Sequence, residues 1–290
     1  MIKKAEYWQD YECIDAGDFE KLERWQNIIL RRPDPLAIWA KNPSTDWQNY
    51  DAIYHRSKAG GGYWEYRKKI PDYWFIHYQN LTFKVAPTNF KHTGLFPEQA
   101  VNWDWMQHLI QDRVKQGKVT KILNLFAYTG AASLACSLAG ADEVVHVDAA
   151  KGMVQWAKEN RNYSHLEKHK IRFIVEDCLK FVEREKRRGH RYHGILMDPP
   201  SYGRGPNGEM WKFEQEVRKL IQNASQLLDQ DACFFLVNSY TSGFSATVFA
   251  NLLNTTALPN GNIETGELAL PISSRNIVLP AGIYARWQKK

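Results

Sequence analysis

The chain has 290 residues, enough for one large domain or two smaller ones, and its 44% hydrophobic and 24% charged residues give the balance of a globular rather than a disordered chain. No stretch offers about 18 uninterrupted apolar residues, and the opening MIKKAEYWQDYE is charged where an export signal needs an apolar run, so a cytoplasmic protein with no membrane partner is expected. The net charge of +6 and pI near 9.0 suit an anionic partner, since each basic group that neutralises a phosphate releases counterions, yet so small an excess also fits a plain surface bias.

Up to residues 90–100 the sequence is rich in aromatics and short candidate strands. Segments 31–35 (RRPDP) and 58–63 (KAGGGY) read as loops. Segments 73–78 (YWFIHY) and 81–86 (LTFKVA), parted by Gln79 and Asn80, read as a hairpin. Residues 1–90 are therefore expected to form a small β-rich region, either a substrate-binding element or a lid. From residue 91 to 290 a second pattern takes over. A helix at 101–115 precedes strand 121–127, helix 131–139, strand 143–148, helix 153–160, strand 171–177 and helix 179–188. Strand 193–198, helix 213–228 and strand 232–239 follow. Continuous apolar strands alternating with helices predict an α/β domain, doubly wound around a mainly parallel sheet. Segments 263–270 and 276–287 look extended and would add an antiparallel C-terminal strand. Cys13, Cys136, Cys178 and Cys233 are far apart and outside any CxxC spacing, so neither zinc nor disulfides are expected.

Ligands of open α/β sheets bind beyond the carboxyl ends of the strands, so the residues that follow each run are the informative ones. Asn124 to Gly130 (NLFAYTG) follows the first strand and opens onto a helix N-terminus suited to a carboxylate or phosphate. Asp148 ends the second strand, where an acid can accept from the two hydroxyls of a ribose. Asp177 ends the third, where its carboxylate can take an adenine amino group while the Cys178 N–H reaches a ring nitrogen. Asp198, Pro199 and Pro200 end the fourth. Any one such acid could equally be solvated or cap the next helix; all four strand edges in order point to a nucleoside pocket. A pyrophosphate needs GxGxxG for close backbone approach, and here Phe126 and Tyr128 stand where glycines would be required. S-adenosylmethionine has no phosphates and tolerates a bulkier loop.

The motifs NLFAYTG, VDAA, EDC and DPPSYG resemble those of bacterial class I S-adenosylmethionine-dependent methyltransferases related to the large-subunit rRNA methyltransferases. TGLFPEQ, ETGELALP and LPAGIYARW are similar to a less characterised branch of that group. The resemblance implies a Rossmann-like methyltransferase fold and S-adenosylmethionine as cofactor. It implies a cofactor shell of Asn124, Phe126, Ala127, Tyr128, Thr129 and Gly130, with Asp148, Ala149, Asp177, Cys178 and Asp198. It also places Thr93, Gly94, Phe96 and Gln99 near the methionine end.

In DPPSYG, Asp198, Pro199, Pro200 and Tyr202 are the candidate catalytic residues. Amino-methylating enzymes hold the target nitrogen with a polar residue and Pro-Pro-aromatic, the aromatic stacking on an extruded base. Ser201 intervenes here, and the alternative is a rigid proline loop with Tyr202 packed inward. Related cytosine-C5 enzymes attack with a thiol after the fifth strand, where this chain has VNSYTS and no cysteine. Cys233 reads as core. Arg67, Lys68 and Lys69, among Tyr63, Trp64 and Tyr66, suit phosphate contact with base stacking, or else belong to an amphipathic strand that snorkels its charges. The basic run 183–191 reads as a helix end rather than an RNA contact. The expected activity is direct methyl transfer to a base of rRNA. A small-molecule or protein acceptor, and a non-catalytic RNA-binding protein, stay open beside it.

Overall fold

The computed structural model describes residues 1–57 and 61–290. Its N-terminal strands are β1 (Ile2–Lys4), β2 (Tyr11–Gly17), β3 (Glu20–Trp25), β4 (Ile28–Pro33), β5 (Ala52–Arg56), β6 (Gly62–Tyr66), β7 (Trp74–Tyr78) and β8 (Leu81–Val85). A short 3-10 turn, Pro97–Gln99, leads into α1 (Ala100–Lys115), β9 (Lys121–Leu125), α2 (Ala131–Leu138), β10 (Glu143–Asp148), α3 (Lys151–Tyr163), β11 (Ile171–Val175) and α4 (Cys178–Arg188). Then come β12 (Gly194–Met197), β13 (Tyr202–Arg204), β14 (Met210–Lys212), α5 (Phe213–Ser225), β15 (Phe234–Ser239), α6 (Ala246–Asn254), β16 (Gly261–Ile272) and β17 (Ile277–Lys289). Contacts divide the chain into two compact units. One comprises Met1–Lys3, Val101–Glu267 and Gly282–Lys290; the other comprises Lys4–Ala100 and Leu268–Ala281.

In the first unit the strand order is β11-β10-β9-β12-β15, every pair parallel, followed by β17 antiparallel to β15 and by β16. This is the expected doubly wound, mainly parallel sheet with an antiparallel terminal strand. All residues of β12 and β15 are buried, as strands covered on both faces require. The helices show why they form where they do. In α4 the inward positions Cys178, Phe181, Val182 and Glu185 recur at i, i+3, i+4 and i+7. Asp177 caps its start by accepting from the Lys180 N–H at 2.9 Å, and Gly189, with φ 69°, ends it in the left-handed region. Its basic end is tied down: buried Glu185 accepts from Tyr192 Oη at 2.6 Å and lies 2.7 Å from His190 Nδ1, and Lys186 reaches Asn223 at 2.8 Å. The chain leaves β9 for β10 and β11 on one side and returns to β12 and β15 on the other. That reversal opens a crevice at the carboxyl ends of β9 and β12.

In the second unit β2, β3 and β4 form an antiparallel meander, β5 runs parallel to β4, and β6 pairs antiparallel with β5. β7 and β8 make the expected hairpin, with Gln79 at φ 51° in its turn. The reading of 31–35 as a loop needs correction, because residues 31–33 close β4. Arg31 is pinned to Glu20 of β3 at 2.7 Å and Arg32 to Glu23 at 2.6 Å, so cross-strand ion pairs hold a polar stretch in a sheet. Of the loop read at 58–63, residues 58–60 lie outside the described residues, and Gly62 and Tyr63 begin β6. Asp15, fully buried, fastens 273–275 to this unit. It accepts from the Asn42 N–H at 2.9 Å, Trp47 Nε1 at 2.8 Å, Ser274 Oγ at 3.0 Å and Arg275 Nη2 at 2.7 Å.

Candidate active site

The register of the parallel strands assembles the candidate residues of the first unit. Leu125 of β9 lies opposite Val147 on one side and Met197 on the other, so Phe126, Asp148 and Asp198 emerge together at one sheet edge. Asp148 in turn faces Val175, which brings Glu176 and Asp177 to the same edge.

The loop after β9 is the most strained segment of this edge. Phe126 and Tyr128 have φ of 53° and 50°, left-handed values that bulky L-residues adopt only when their surroundings impose them, at about 1–3 kcal/mol each. The surroundings do so. Phe126 N–H donates to Cys178 Sγ at 3.2 Å, Ala127 N–H to the Val147 carbonyl at 3.0 Å, and Tyr128 N–H to Asp148 Oδ2 at 2.8 Å. Gly130 closes the turn at φ 90°, and a Cβ there would stand 2.8 Å from that of Ala157 on α3. Below the loop, the Asn124 side chain donates to Ser133 Oγ at 2.9 Å, which lies 3.0 Å from His146 Nδ1. All three are buried, and burial pushes His146 down to about 3, so the imidazole is neutral. Asn124 thus braces the loop from beneath, and Thr129, also buried, accepts from Asn160 Nδ2 through its carbonyl at 2.9 Å.

Asp148 is half-buried. Oδ1 accepts from the Ala150 N–H and Oδ2 from the Tyr128 N–H, both at 2.8 Å, and no cation among the described residues pairs with it, so burial raises its pKa against the pull of the two amides. Each oxygen keeps a lone pair. Ala149 beside it is half-buried. At Asp177 the capping alternative is realised through Oδ1, and the other carboxylate oxygen is left over from that bond. The hairpin β13–β14, which carries Tyr202, was not among the elements read from the sequence. Its Trp211 is buried, packs at a tilt against Phe126 with centroids 4.9 Å apart and donates its indole N–H to the Pro200 carbonyl at 2.6 Å. Ser201 Oγ meets Thr241 Oγ1 at 2.9 Å, linking the loop after β12 to the one after β15. Tyr202 does not pack inward; it is 52% exposed. The segment RGPNGE between YGR and MWK carries the turn chemistry that could have revealed the hairpin.

A profile of the S-adenosylmethionine-dependent methyltransferase family matches residues 47–251, well over half of the chain. The chain belongs to that family. Its cofactor is S-adenosylmethionine, and a crevice edged by an uncompensated carboxylate and a strained, glycine-poor loop fits a nucleoside without phosphates. The crystal structure of the SAM-dependent methyltransferase from Agrobacterium tumefaciens is similar at a TM-score of 0.94 and 34% identity, covering 100% of this methyltransferase and 94% of that chain. A methyltransferase complexed with SAH shares the fold, with a TM-score of 0.72 at 17% identity over 97% of this chain and 76% of that one. Among curated relatives, the ribosomal RNA large subunit methyltransferase K/L of Pseudoalteromonas atlantica is 37% identical over 147 residues, 50% of this chain and 19% of its own length. The K/L enzyme of Colwellia psychrerythraea is 28% identical over 236 residues, 80% of this chain and 30% of its own length. The methyltransferase thus spans roughly a fifth to a third of these two relatives.

The remaining candidates of this methyltransferase lie in its second unit. Thr93 is buried, and its carbonyl accepts from the Ala86 N–H at 3.0 Å; Gly94 has φ 95°, Phe96 stands before the 3-10 turn, and Gln99 is buried within it. Arg67, Lys68 and Lys69 are exposed and follow β6 rather than belonging to it. Arg67 lies over the Tyr50 ring at 4.0 Å and donates to the Gln48 carbonyl at 2.8 Å, and Lys68 pairs with Asp51 at 2.7 Å. Among the described residues no group of three or more His, Cys, Asp or Glu is placed to hold a metal, and no helix is long and apolar enough to cross a membrane.

Proposed function

We propose that this methyltransferase acts on a base of large-subunit ribosomal RNA by direct transfer, without a covalent cysteine adduct. The observation that carries the reading is the shared edge of Phe126, Asp148 and Asp198, where a cofactor and an acceptor would meet. When bound, S-adenosylmethionine supplies an electrophilic methyl on a sulfonium, open to in-line attack by an acceptor lone pair. Asp148 would accept from the ribose hydroxyls through the lone pairs its amide donors leave free. The second oxygen of Asp177 and the N–H of Cys178 would read the adenine. Asp198, with the backbone of Pro199 and Pro200, would hold the acceptor in line, a contribution of positioning rather than of acid-base chemistry. The acceptor class is supported by the names of the curated relatives, which are ribosomal RNA large subunit methyltransferases.

A covalent route needs a thiolate, which forms where a thiol's pKa is lowered. Here burial raises all four: Cys13, Cys136 and Cys178 well above their usual range and Cys233 to about 11. Tritium from methyl-labelled cofactor, followed through the RNA, protein and metabolite fractions of a strain lacking the gene, should enter large-subunit rRNA. Label confined to protein or metabolites would end the RNA reading. RNA containing 5-fluorocytosine should leave no adduct on the enzyme, and a trapped one would overturn the direct mechanism.

A further inference from the structure

The hairpin β13–β14 has two chemically different faces. Its register pairs Tyr202 with Lys212, Gly203 with Trp211 and Arg204 with Met210, so residues two apart share a side. Gly203 and Trp211 form the inner side, where Trp211 reaches Phe126 and Pro200. Tyr202, Arg204, Met210 and Lys212 form the outer side, and all four are exposed. Tyr202 Oη donates to Met210 Sδ at 3.3 Å, which lays the phenol beside the thioether as one apolar shelf. Arg204 and Lys212 stand at opposite ends of the shelf, and neither forms an ion pair among the described residues. Several cations of this unit's helices are committed instead: Arg113 to Asp231, Arg184 to Glu176 and Lys219 to Glu183.

The hairpin is held at both ends. At its base are the Trp211 indole bond and the Ser201–Thr241 pair. At its tip the Gly205 N–H donates to the Glu209 carbonyl at 2.8 Å, and the Glu209 carboxylate is bonded to Lys180 of α4 and to the Asn207 N–H at 2.9 Å. An exposed ring that is fixed in place before binding costs little entropy when a partner stacks on it.

We propose that this outer face is a platform for single-stranded RNA, with a base on the Tyr202–Met210 shelf and the flanking phosphates on Arg204 and Lys212. The inference rests on the RNA reading above and deepens it. An aromatic shelf between two uncommitted cations matches the alternation of base and phosphate along one strand, whereas the bases of a duplex are stacked on each other and offer no open π-face to it. The hairpin leads directly out of the loop of Asp198, Pro199 and Pro200, so a strand on it is delivered to the acceptor end of the crevice.

The test uses the full chain loaded with S-adenosylhomocysteine, fluorescein-labelled oligouridylate and a labelled RNA duplex, with anisotropy read across a salt series. Tyr202→Ala should weaken oligouridylate binding about ten-fold. Arg204→Ala with Lys212→Ala should reduce the slope of log affinity against log salt by about 1.4, roughly 0.7 for each lost phosphate contact. Tyr202→Phe should bind as the parent does, since stacking needs the ring and not the hydroxyl. Cofactor affinity, measured by calorimetry on every variant, should stay at the parent value and so reports an intact fold. If the parent binds and methylates RNA but the variants match it in affinity and slope, the platform is overturned while the RNA reading stands. Tighter binding of duplex than of single strand also overturns the platform. If the parent neither binds nor methylates any RNA, the RNA reading falls and the platform with it.

Discussion

Two acids, one in each unit, show how the same carboxylate can be closed or open. Glu23 of β3 is fully buried with its charge matched inside the protein: Arg32 donates to it twice, at 2.6 and 2.9 Å, Tyr11 Oη at 2.7 Å, and Lys21 stands 3.4 Å away. Burial alone would raise its pKa, but Arg32 and Lys21 outweigh it and hold the group at about 2. Among the described residues Asp148 has two amide donors and no cation, and burial leaves its pKa raised. The first arrangement settles its charge inside the protein and serves the fold. The second leaves a carboxylate with lone pairs to offer a ligand, an arrangement that marks functional sites more often than structural ones.

The largest effect should come from opening the closed acid. Glu23→Gln leaves Arg32 buried without the carboxylate it is bonded to, and unfolding stability should fall by about 3–5 kcal/mol, read as a lower urea midpoint. A midpoint within error of the parent would show that the pair is not structural. Next, Asp148→Ala should weaken S-adenosylmethionine binding by about 1–3 kcal/mol in calorimetry, with a midpoint closer to the parent's than that of the Glu23 variant. Unchanged affinity would remove Asp148 from the ribose.

Acid should separate the two groups. Glu23 has a depressed folded pKa, so its contribution to stability is complete above 4.5 and is lost as pH falls from there to about 2. Asp148 is shifted the other way, so its ionised form, the better acceptor for ribose hydroxyls, is lost first, at a pH above its ordinary 3.8. Cofactor affinity should therefore decline on acidification before the fold does; the reverse order in paired titrations would contradict the assignment. The smallest effect is expected at Asp177, which is partly closed by its cap. Asp177→Ala should cost about 1 kcal/mol of stability. A drop in cofactor affinity as well would support adenine recognition, and equal affinity would leave it a cap alone.

Much of the first unit was legible because its elements are local. The apolar runs of β10 and β12, the i, i+3, i+4 face of α4 and its stop at Gly189 all follow from spacing and residue type, and the acids at the strand ends follow from the strands. The N-terminal strands were harder. In β4 the stretch ending in Arg31, Arg32 and Pro33 has the composition of a loop and becomes a strand through ion pairs with Glu20 and Glu23, partners eleven and nine residues away. Likewise the exposure of Tyr202 depends on a hairpin whose inner residue, Trp211, finds Phe126 eighty-five positions earlier in the chain.

The sequence by itself determined the α/β class and the order of the parallel strands' carboxyl-end residues, because periodicity and turn chemistry act over a few residues, and its motifs carried the resemblance to the family. Only the tertiary structure decided what surrounds Asp148 and Asn124. Asp148 took the amide of Tyr128, twenty residues earlier, and no cation among the described residues, and Asn124 turned beneath the loop to Ser133. Those outcomes depend on which groups long-range packing brings within about 3 Å, a distance that no local pattern encodes.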